Sequence, residues 1–553
     1  MCKLALCKLA RMANSPIPYR MRWWGWGTSG HDKPLTPAAE QLLETSIHMD
    51  LDFHRPIPDL QRVRLPRSAF AQLPEAAARL KATGAQWDDT HDTRIKHAFG
   101  RSYPDLVRLR SGQVATAPDA VLLPQDEQQL LVLLQVCSEL SIAVVPFGGG
   151  TSVVGGVSAL HGEFDAVIAV SMVAFDQIKR IDNASATVTV GAGVFGPDLE
   201  AAVSDAGFTV GHFPQSYEFS TVGGWVSCRS AGQESSGYGR IDANVVGLRA
   251  VTPAGIVSFR DVPASAAGPD PRQLFLGSEG VFGFITEVTL ALHRKPRKML
   301  FDTYFFPDFA TGAEAFRKLE QSGQIPHMAR LSDEKETLFG IKQMGNAKLS
   351  GYLRKYLGFR GMKTPCMAVF AFADHGFITA RVQREKLAAT MLRFKAARLS
   401  AVPGMMWVKH RFTSPYLRDV MMSRGVAVDT LETATTWSQA LKLRTEITHA
   451  MENAGTPAFV FCHISHVYGS GCSLYFTYFF REGTDPIAQW RQIKGAASDA
   501  ILAHGGTISH HHGVGTDHAE GFQAETGELY GAGLKALKAS FDPKGIMNPG
   551  KLL

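Results

Sequence analysis

Three glycine-rich segments, in a fixed order, constrain this chain more than any other feature. The first, Pro146-Phe147-Gly148-Gly149-Gly150-Thr151-Ser152, follows an apolar run that reads as a strand. Three successive glycines let backbone N–H groups close on a diphosphate without Cβ obstruction. The loop matches neither G-x-G-x-x-G nor G-x-x-x-x-G-K-S/T, so nicotinamide dinucleotide and ATP readings lose support. Taken alone it reads equally well as a tight turn between strands. The second segment runs from Gly211-His212 through Gln215-Ser216-Tyr-Glu218-Phe219-Ser220-Thr221-Val-Gly-Gly-Trp225 and Cys228-Arg229-Ser230-Ala231 to Arg240. So many glycines and hydroxyls describe backbone wrapped around a ligand. The third, Gly277-Ser278-Glu279-Gly280-Val281-Phe282-Gly283, precedes another strand and adds main-chain donors. Three such loops in sequence make a coincidence of turns a poor explanation.

A chain of 553 residues exceeds the ~250 to 300 at which a single core stops growing, so two or more domains are expected. With 45% hydrophobic and 20% charged residues it has the composition of an ordinary globular enzyme. A net charge of +6 is far below a nucleic-acid footprint and suits an anionic small molecule or lipid surface. Seven scattered cysteines without a C-x-x-C pair exclude a disulfide framework and a zinc site, and a reducing cytoplasm is the simplest compartment. The apolar run in Met1 to Met12 is broken by Lys8 and reads as a dispensable tail of a soluble protein.

The pattern divides the chain into four parts: a mostly helical N-terminal extension over 1–113, a cofactor domain over 114–297, a cap over 298–530 and a C-terminal segment over 531–553 that returns to the cofactor domain. The extension carries Trp23, Trp24 and Trp26 and a helical stretch from Pro37 to Ile47. In the second part Asp126 can cap an apolar helix, with Gln129 at the reciprocal position, and Ser141 leads into a strand. Strands at 166–171, 178–181, 186–191 and 245–251 then make an α+β domain.

The strings P-x-G-G-G-T-S, S-x-E-F-S-T-V-G-G-W, G-S-E-G-x-x-G-x-I-T-E and His510-His511-His512-Gly-Val-Gly together resemble the alkyldihydroxyacetonephosphate synthase family, within the vanillyl-alcohol-oxidase class of flavoproteins. The likeness runs from Trp24-Gly-Trp26-Gly to the final Gly550-Lys-Leu-Leu. It implies an α+β fold: a two-part FAD-binding domain of the PCMH type with an α/β cap. The residues named above in 146–152, 215–221, 228–231 and 277–283 would line FAD. Covalent relatives often attach flavin to a His beside the first loop. Thr151 and Ser152 stand there instead, so non-covalent FAD is implied.

The resemblance further places catalysis on Tyr475 as base, with His512, His511, His510 and His212 around it, and substrate binding on Arg418 and Arg330. The implied reaction exchanges the acyl group of acyl-dihydroxyacetone phosphate for a fatty alcohol through a flavin N5 adduct, in ether-lipid synthesis without net redox change. A tyrosine takes the C1 proton if neighbouring cations lower its pKa, and Arg offers a fork to phosphate. The strand after Tyr475 needs a one-residue gap against the family pattern, which leaves Tyr478 open as the base. The alternative is an FAD-linked oxidoreductase acting on a 2-hydroxy acid, but such enzymes carry G-H-x-G-D-G-N where this chain has Cys462-His-Ile-Ser-His466. His463 and His466, three apart on a strand, would face opposite ways, and no metal is expected. Lys342 to Lys363 mixes bases with aromatics and leucines. It suits either a peripheral contact with an anionic membrane or a solvated basic face. A homodimer is compatible with the resemblance, and a nucleic-acid partner is not.

Overall fold

A strand-helix-strand unit builds the first sheet. Helix α1 (Glu127–Leu140) is capped by the Asp126 side chain, which accepts from the Gln129 N–H at 2.8 Å. Its stripe of Leu130, Leu133, Leu134 and Cys137 is buried against the sheet. Ser141 ends it in the left-handed region at φ 51° and turns the chain into a strand. With β1 (Gln86–Asp88), β2 (Ala120–Leu123), β3 (Ile142–Phe147) and β4 (Ala166–Ser171), the order is β1-β2-β4-β3. β4 runs parallel to both β2 and β3. β3 delivers the chain straight into the first glycine loop. The computed structural model describes residues 17–553 apart from Lys33, Asp52, Gly345, Asn346 and Phe377. The amino-terminal tail, with Cys2 and Cys7, lies outside the described residues.

The second sheet is antiparallel, with β5 (Ile178–Asp182), β6 (Thr187–Gly191), β7 (Val245–Thr252), β8 (Gly255–Ser258) and β9 (Phe284–Ala291) in the order β5-β6-β9-β7-β8. The second and third glycine segments occur in its long connections, so the sheet holds both loops against one core. The chain end returns here: Leu534, Leu537 and Phe541 pack on that core, and Met547 pairs with Val144 of β3.

The third sheet has eight strands: β10 (Lys298–Phe306), β11 (Met328–Ser332), β12 (Cys366–Asp374), β13 (Ala397–Arg398), β14 (Val426–Thr436), β15 (Ala458–Ile464), β16 (Val467–Tyr468) and β17 (Gly471–Arg481). Their order is β13-β10-β12-β11-β15-β17-β14, with β16 on β17. Side chains alternate across it. Ala329, Leu331, Cys462, Ile464, Leu474, Phe476, Tyr478 and Phe480 enter the largest core, so Arg330, His463 and Tyr475 face the other way. Period-two alternation therefore assembles the polar site. Three helices that matter below follow β11, β13 and β13 again: α2 (Ala347–Phe359), α3 (Val402–His410) and α4 (Ser414–Ser423).

The N-terminal helices pack on both bodies. Leu43 and Ile47 join Phe459, Phe461 and Phe479 of the third sheet, whereas Leu80 joins the core of the first. Among the described residues no helix is long and apolar enough to cross a membrane.

Candidate active site

The first two glycine loops touch directly. A Cβ on Gly149 would collide with the Phe219 carbonyl, and one on Gly148 with Thr221 Oγ1. Gly150, at φ 70°, lies against the Phe147 ring, which is itself buried beside His97 and Tyr19. The third loop joins them through Gly277 N–H to Val226 O at 3.2 Å and Glu279 N–H to Ser227 O at 2.9 Å. Within this cradle, Arg229 Nε, His212 Nδ1 and Gln233 Oε1 are buried without a partner. Unsatisfied buried polar atoms cost ~1 to 3 kcal/mol each, so three of them in the second glycine segment fit a polar, phosphate-bearing group such as FAD.

Several side chains expected on the cofactor are used otherwise. The Glu279 carboxylate accepts from the backbone N–H groups of Val514 and Gly515, tying the third loop to the histidine segment, and burial pushes its pKa up to about 7. Val281 and Phe282 sit in the core of the second sheet, so that loop offers a ligand its backbone there. Phe219 packs edge-on against Trp26 at 6.0 Å. Ser220 Oγ accepts from Trp225 Nε1 at 2.7 Å and donates to Ser216 O. Gln215 Nε2 donates to Arg411 O at 2.7 Å. Burial pushes the Cys228 thiol up to about 12. Glu218 is exposed. These residues shape the loops, which is why their motif is so tightly written.

On the third sheet, His463, Tyr475 and Glu432 stand opposite one another on β15, β17 and β14. The Tyr475 ring is stacked between His463 at 4.8 Å and His511 at 5.9 Å, and His512 meets its edge at 5.6 Å. Tyr478 is fully buried on the core face, hydrogen-bonded to Asp429, which removes it as the alternative base. Burial pushes the Tyr475 phenol up to about 12. Arg330 lowers it, as expected of a neighbouring cation, but burial and the charges of Glu432 and Asp429 outweigh that; Arg330 Nη2 donates to Glu336 Oε1 at 2.7 Å and to His463 Nδ1 at 2.9 Å. Through Nη2, Arg330 thus holds His463 beside Tyr475.

Glu432, which sequence reasoning missed, anchors the histidine triplet. Its carboxylate accepts from the backbone N–H of His510 at 2.5 Å, His511 at 3.1 Å and His512 at 2.8 Å, and from Ser509 Oγ at 2.9 Å. Burial favours its neutral form, but the three imidazoles and these donors prevail and hold it well below the usual carboxylate range. The rings themselves are held neutral by desolvation: His511 is pushed down to about 3, His510 well below its ordinary value, and His512 downward.

His510 Nδ1 lies 2.9 Å from His511 Nδ1, and His510 Nε2 lies 2.6 Å from the hydroxyl of Tyr468. His466 completes a group of three whose nitrogens fall within 4.8 Å of one another, in contrast with the sequence reading, which saw no metal-like cluster. Both His466 nitrogens are engaged, Nε2 with Gly232 O at 3.0 Å and Nδ1 with Ser473 Oγ at 3.2 Å. His212 Nε2 bonds Ser230 Oγ at 2.9 Å, and its ring lies on Trp225.

Arg418 links cap and cradle. From α4 its Nη1 donates to the Arg101 carbonyl at 2.8 Å, and Arg101 N–H donates to Ser152 O of the first loop at 2.6 Å. Its Nε and Nη2 are buried and unpartnered. Burial lowers its pKa, while nearby Asp419, Asp429 and Tyr475 raise it. A guanidinium keeps its charge under such a shift, so two charged N–H groups are left for an anion.

A family model for an FAD binding domain matches residues 118–259, and one for the C-terminal domain of FAD linked oxidases matches residues 295–552. The alkyldihydroxyacetonephosphate synthase of Dictyostelium discoideum is 32% identical over 513 residues, covering 90% of this chain and 83% of its own length. The chain belongs to the alkyldihydroxyacetonephosphate synthase family. The Trypanosoma brucei brucei synthase is 30% identical over 96% of this chain and 92% of its own. A solved alkyldihydroxyacetonephosphate synthase structure superposes with a TM-score of 0.81 at 28% identity, covering 96% of this chain and 98% of that one. Like its synthase relatives this chain is an enzyme whose cofactor is FAD, and the first two glycine loops fall inside the matched FAD binding domain.

Proposed function

We propose that this enzyme is an FAD-dependent alkylglycerone-phosphate synthase, which replaces the acyl group of acyl-dihydroxyacetone phosphate with a fatty alcohol. The observation that carries the reading is Arg418: two buried, unpartnered guanidinium N–H groups within electrostatic reach of Tyr475 form a ready anion site beside a proton-handling cluster. FAD, held non-covalently because Thr151 and Ser152 stand beside the first loop, supplies an electrophilic ring. Arg418 binds and orients the phosphate. Tyr475, neutral as it is held, moves a proton in concert with the imidazoles that flank it, and Glu432 fixes those imidazoles in place.

The lipid substrates account for a second surface. Helix α2 leaves Phe359 90% and Tyr352 72% exposed, with Lys348, Arg354, Lys355 and Arg360 also at the surface. Helix α3 exposes Val402, Met405 and Met406. Trp407 of α3 and Leu357 of α2 pack on the cap-sheet face opposite the main core, the face that also carries Tyr475. Apolar tips among bases on the side of the sheet that holds the site support peripheral contact with anionic lipid.

Incubation of the purified yellow protein with palmitoyl-dihydroxyacetone phosphate and labelled hexadecanol tests the reading. Labelled ether product is expected, with no electron acceptor needed. No ether product, together with flavin bleaching by a 2-hydroxy acid, would assign the oxidoreductase chemistry instead.

A further inference from the structure

The triplet does not end in the protein interior. Tyr468, 36% exposed on β16, presents its hydroxyl to His510 Nε2, and His510 Nδ1 meets His511 Nδ1. His511 lies against Tyr475 with its Nε2 in no hydrogen bond among the described residues. Two contacts of 2.6 and 2.9 Å therefore connect a surface phenol to the ring beside Tyr475.

From this geometry we infer that Tyr468 is the solvent outlet of a proton relay, Tyr468–His510–His511, that serves the catalytic cluster at Tyr475. The inference rests on the synthase reading, since it needs a reaction that moves a proton at that cluster. A proton arriving at His511 Nε2 releases the proton on His511 Nδ1 to His510 Nδ1. His510 passes its Nε2 proton to the Tyr468 oxygen, and Tyr468 gives its hydroxyl proton to water. One proton enters and one leaves. Each ring exchanges tautomers and no charge remains on the chain, which suits imidazoles that burial keeps neutral.

The surroundings are built to hold this line. The Tyr468 carbonyl accepts from Trp437 Nε1 at 2.9 Å, fixing the backbone of the outlet. Arg240, paired with Asp242, donates to the His510 carbonyl at 3.1 Å. The charged and titratable groups facing the line are Arg240, Asp242 and Glu432, together with His212, His463, His466, His512 and Tyr475. Arg240 opposes the charge that accumulates on the Tyr468 oxygen if the last transfer runs ahead of the others. Tyr468 itself touches none of the three loops of the cradle in any hydrogen bond among the described residues, so it acts through His510.

Tyr468→Phe and Tyr468→His, each assayed beside wild type for ether product, test the relay. Tyr468→Phe is expected to lower kcat roughly tenfold with KM and the flavin spectrum unchanged, less than the ~10²- to 10⁴-fold of a group that exchanges a proton with the substrate directly, because Tyr468 acts through His510. Added imidazole buffer at constant pH should restore part of the rate, and Tyr468→His, which keeps a transferable proton, should fall less. The solvent deuterium isotope effect on kcat should rise in Tyr468→Phe. If Tyr468→Phe matches wild type, or both variants lose rate equally and imidazole restores neither, the relay is wrong while the synthase reading stands. A wild-type protein that forms no ether product fails that reading and the relay with it.

Discussion

The phenol ring of Tyr475 lies 4.8 Å from the imidazole of His463 at an interplanar angle of 19°, the two residues directly opposite on neighbouring strands. Arg330 and Glu336 grip the far side of that imidazole, at 2.9 and 3.3 Å from Nδ1. Tyr475 is thereby clamped between fixed rings, and the proposed function puts the reactive proton on its hydroxyl. Tyr475→Phe preserves the stack and removes only the hydroxyl. Ether formation should drop about 10²- to 10⁴-fold, the usual contribution of general acid–base catalysis, with flavin content unchanged by absorbance. Activity within threefold of wild type would take the proton away from Tyr475.

In the proposed function Arg418 binds the anion and Arg330 positions His463. Arg418→Ala removes two free charge-assisted donors, each worth ~1.5 to 3 kcal/mol, so KM for acyl-dihydroxyacetone phosphate should rise by about two to four orders of magnitude. Arg330→Ala frees His463 and leaves Glu336 buried without its cation, so kcat and thermal stability should fall while KM moves little. Steady-state kinetics of the two variants, run together, check the split, and interchange of the two patterns would reverse the assignment.

The glycine loops were legible in the sequence because their constraint is local: no other residue fits where Gly148 and Gly149 meet Thr221 and Phe219. The capped helix at Asp126 was legible for the same reason. Tyr475 is harder to read. Its strand is apolar throughout, and only the assembled sheet shows that Leu474 and Phe476 face the core while Tyr475 faces the site. Glu432 has no sequence signature, since its partners are backbone N–H groups 78 to 80 residues further along. Glu279 sits in a cofactor motif yet serves the other end of the chain. Arg330 has the right charge for a phosphate, but its use is decided by Glu336 one turn away on the following helix.

Acid should weaken the fold. Burial lowers His97 and His463 to about 4 and His212, His466, His511 and His518 to about 3, against 6.5 when unfolded. Between pH 6.5 and 4 the unfolded chain therefore binds protons that the folded one refuses, and stability present above 6.5 is lost on acidification. Buried Asp105 and Asp333, raised to about 6, and Glu279, raised to about 7, act in the opposite sense over the same window. Counting those shifted in direction alone, ten imidazoles are held below their ordinary value and seven carboxyls above theirs among the described residues, so the net slope is downward with falling pH. His212→Asn should flatten it by one proton, ~1.4 kcal/mol per pH unit. Urea unfolding at pH 7, 6 and 5 reads both, and a midpoint constant across that range would refute the assignment of neutral buried imidazoles.

The contact between the first two glycine loops sets the cofactor site. A methyl group on Gly149 would enter the space of the Phe219 carbonyl, and backbone has no rotamer by which to yield. Gly149→Ala must push the loops apart, and with them the N–H groups that close on the diphosphate, while the third sheet keeps its own core. The variant should fold with little or no flavin: the yellow absorbance is lost on purification, and added FAD fails to raise the melting temperature as it does for wild type. Gly207→Ala is the control. That glycine also has a positive φ, at 84°, but nothing stands within 4 Å of its Cβ position, so a modest loss of stability with full flavin content is expected. Equal flavin content in Gly149→Ala and wild type would move the cofactor away from these loops.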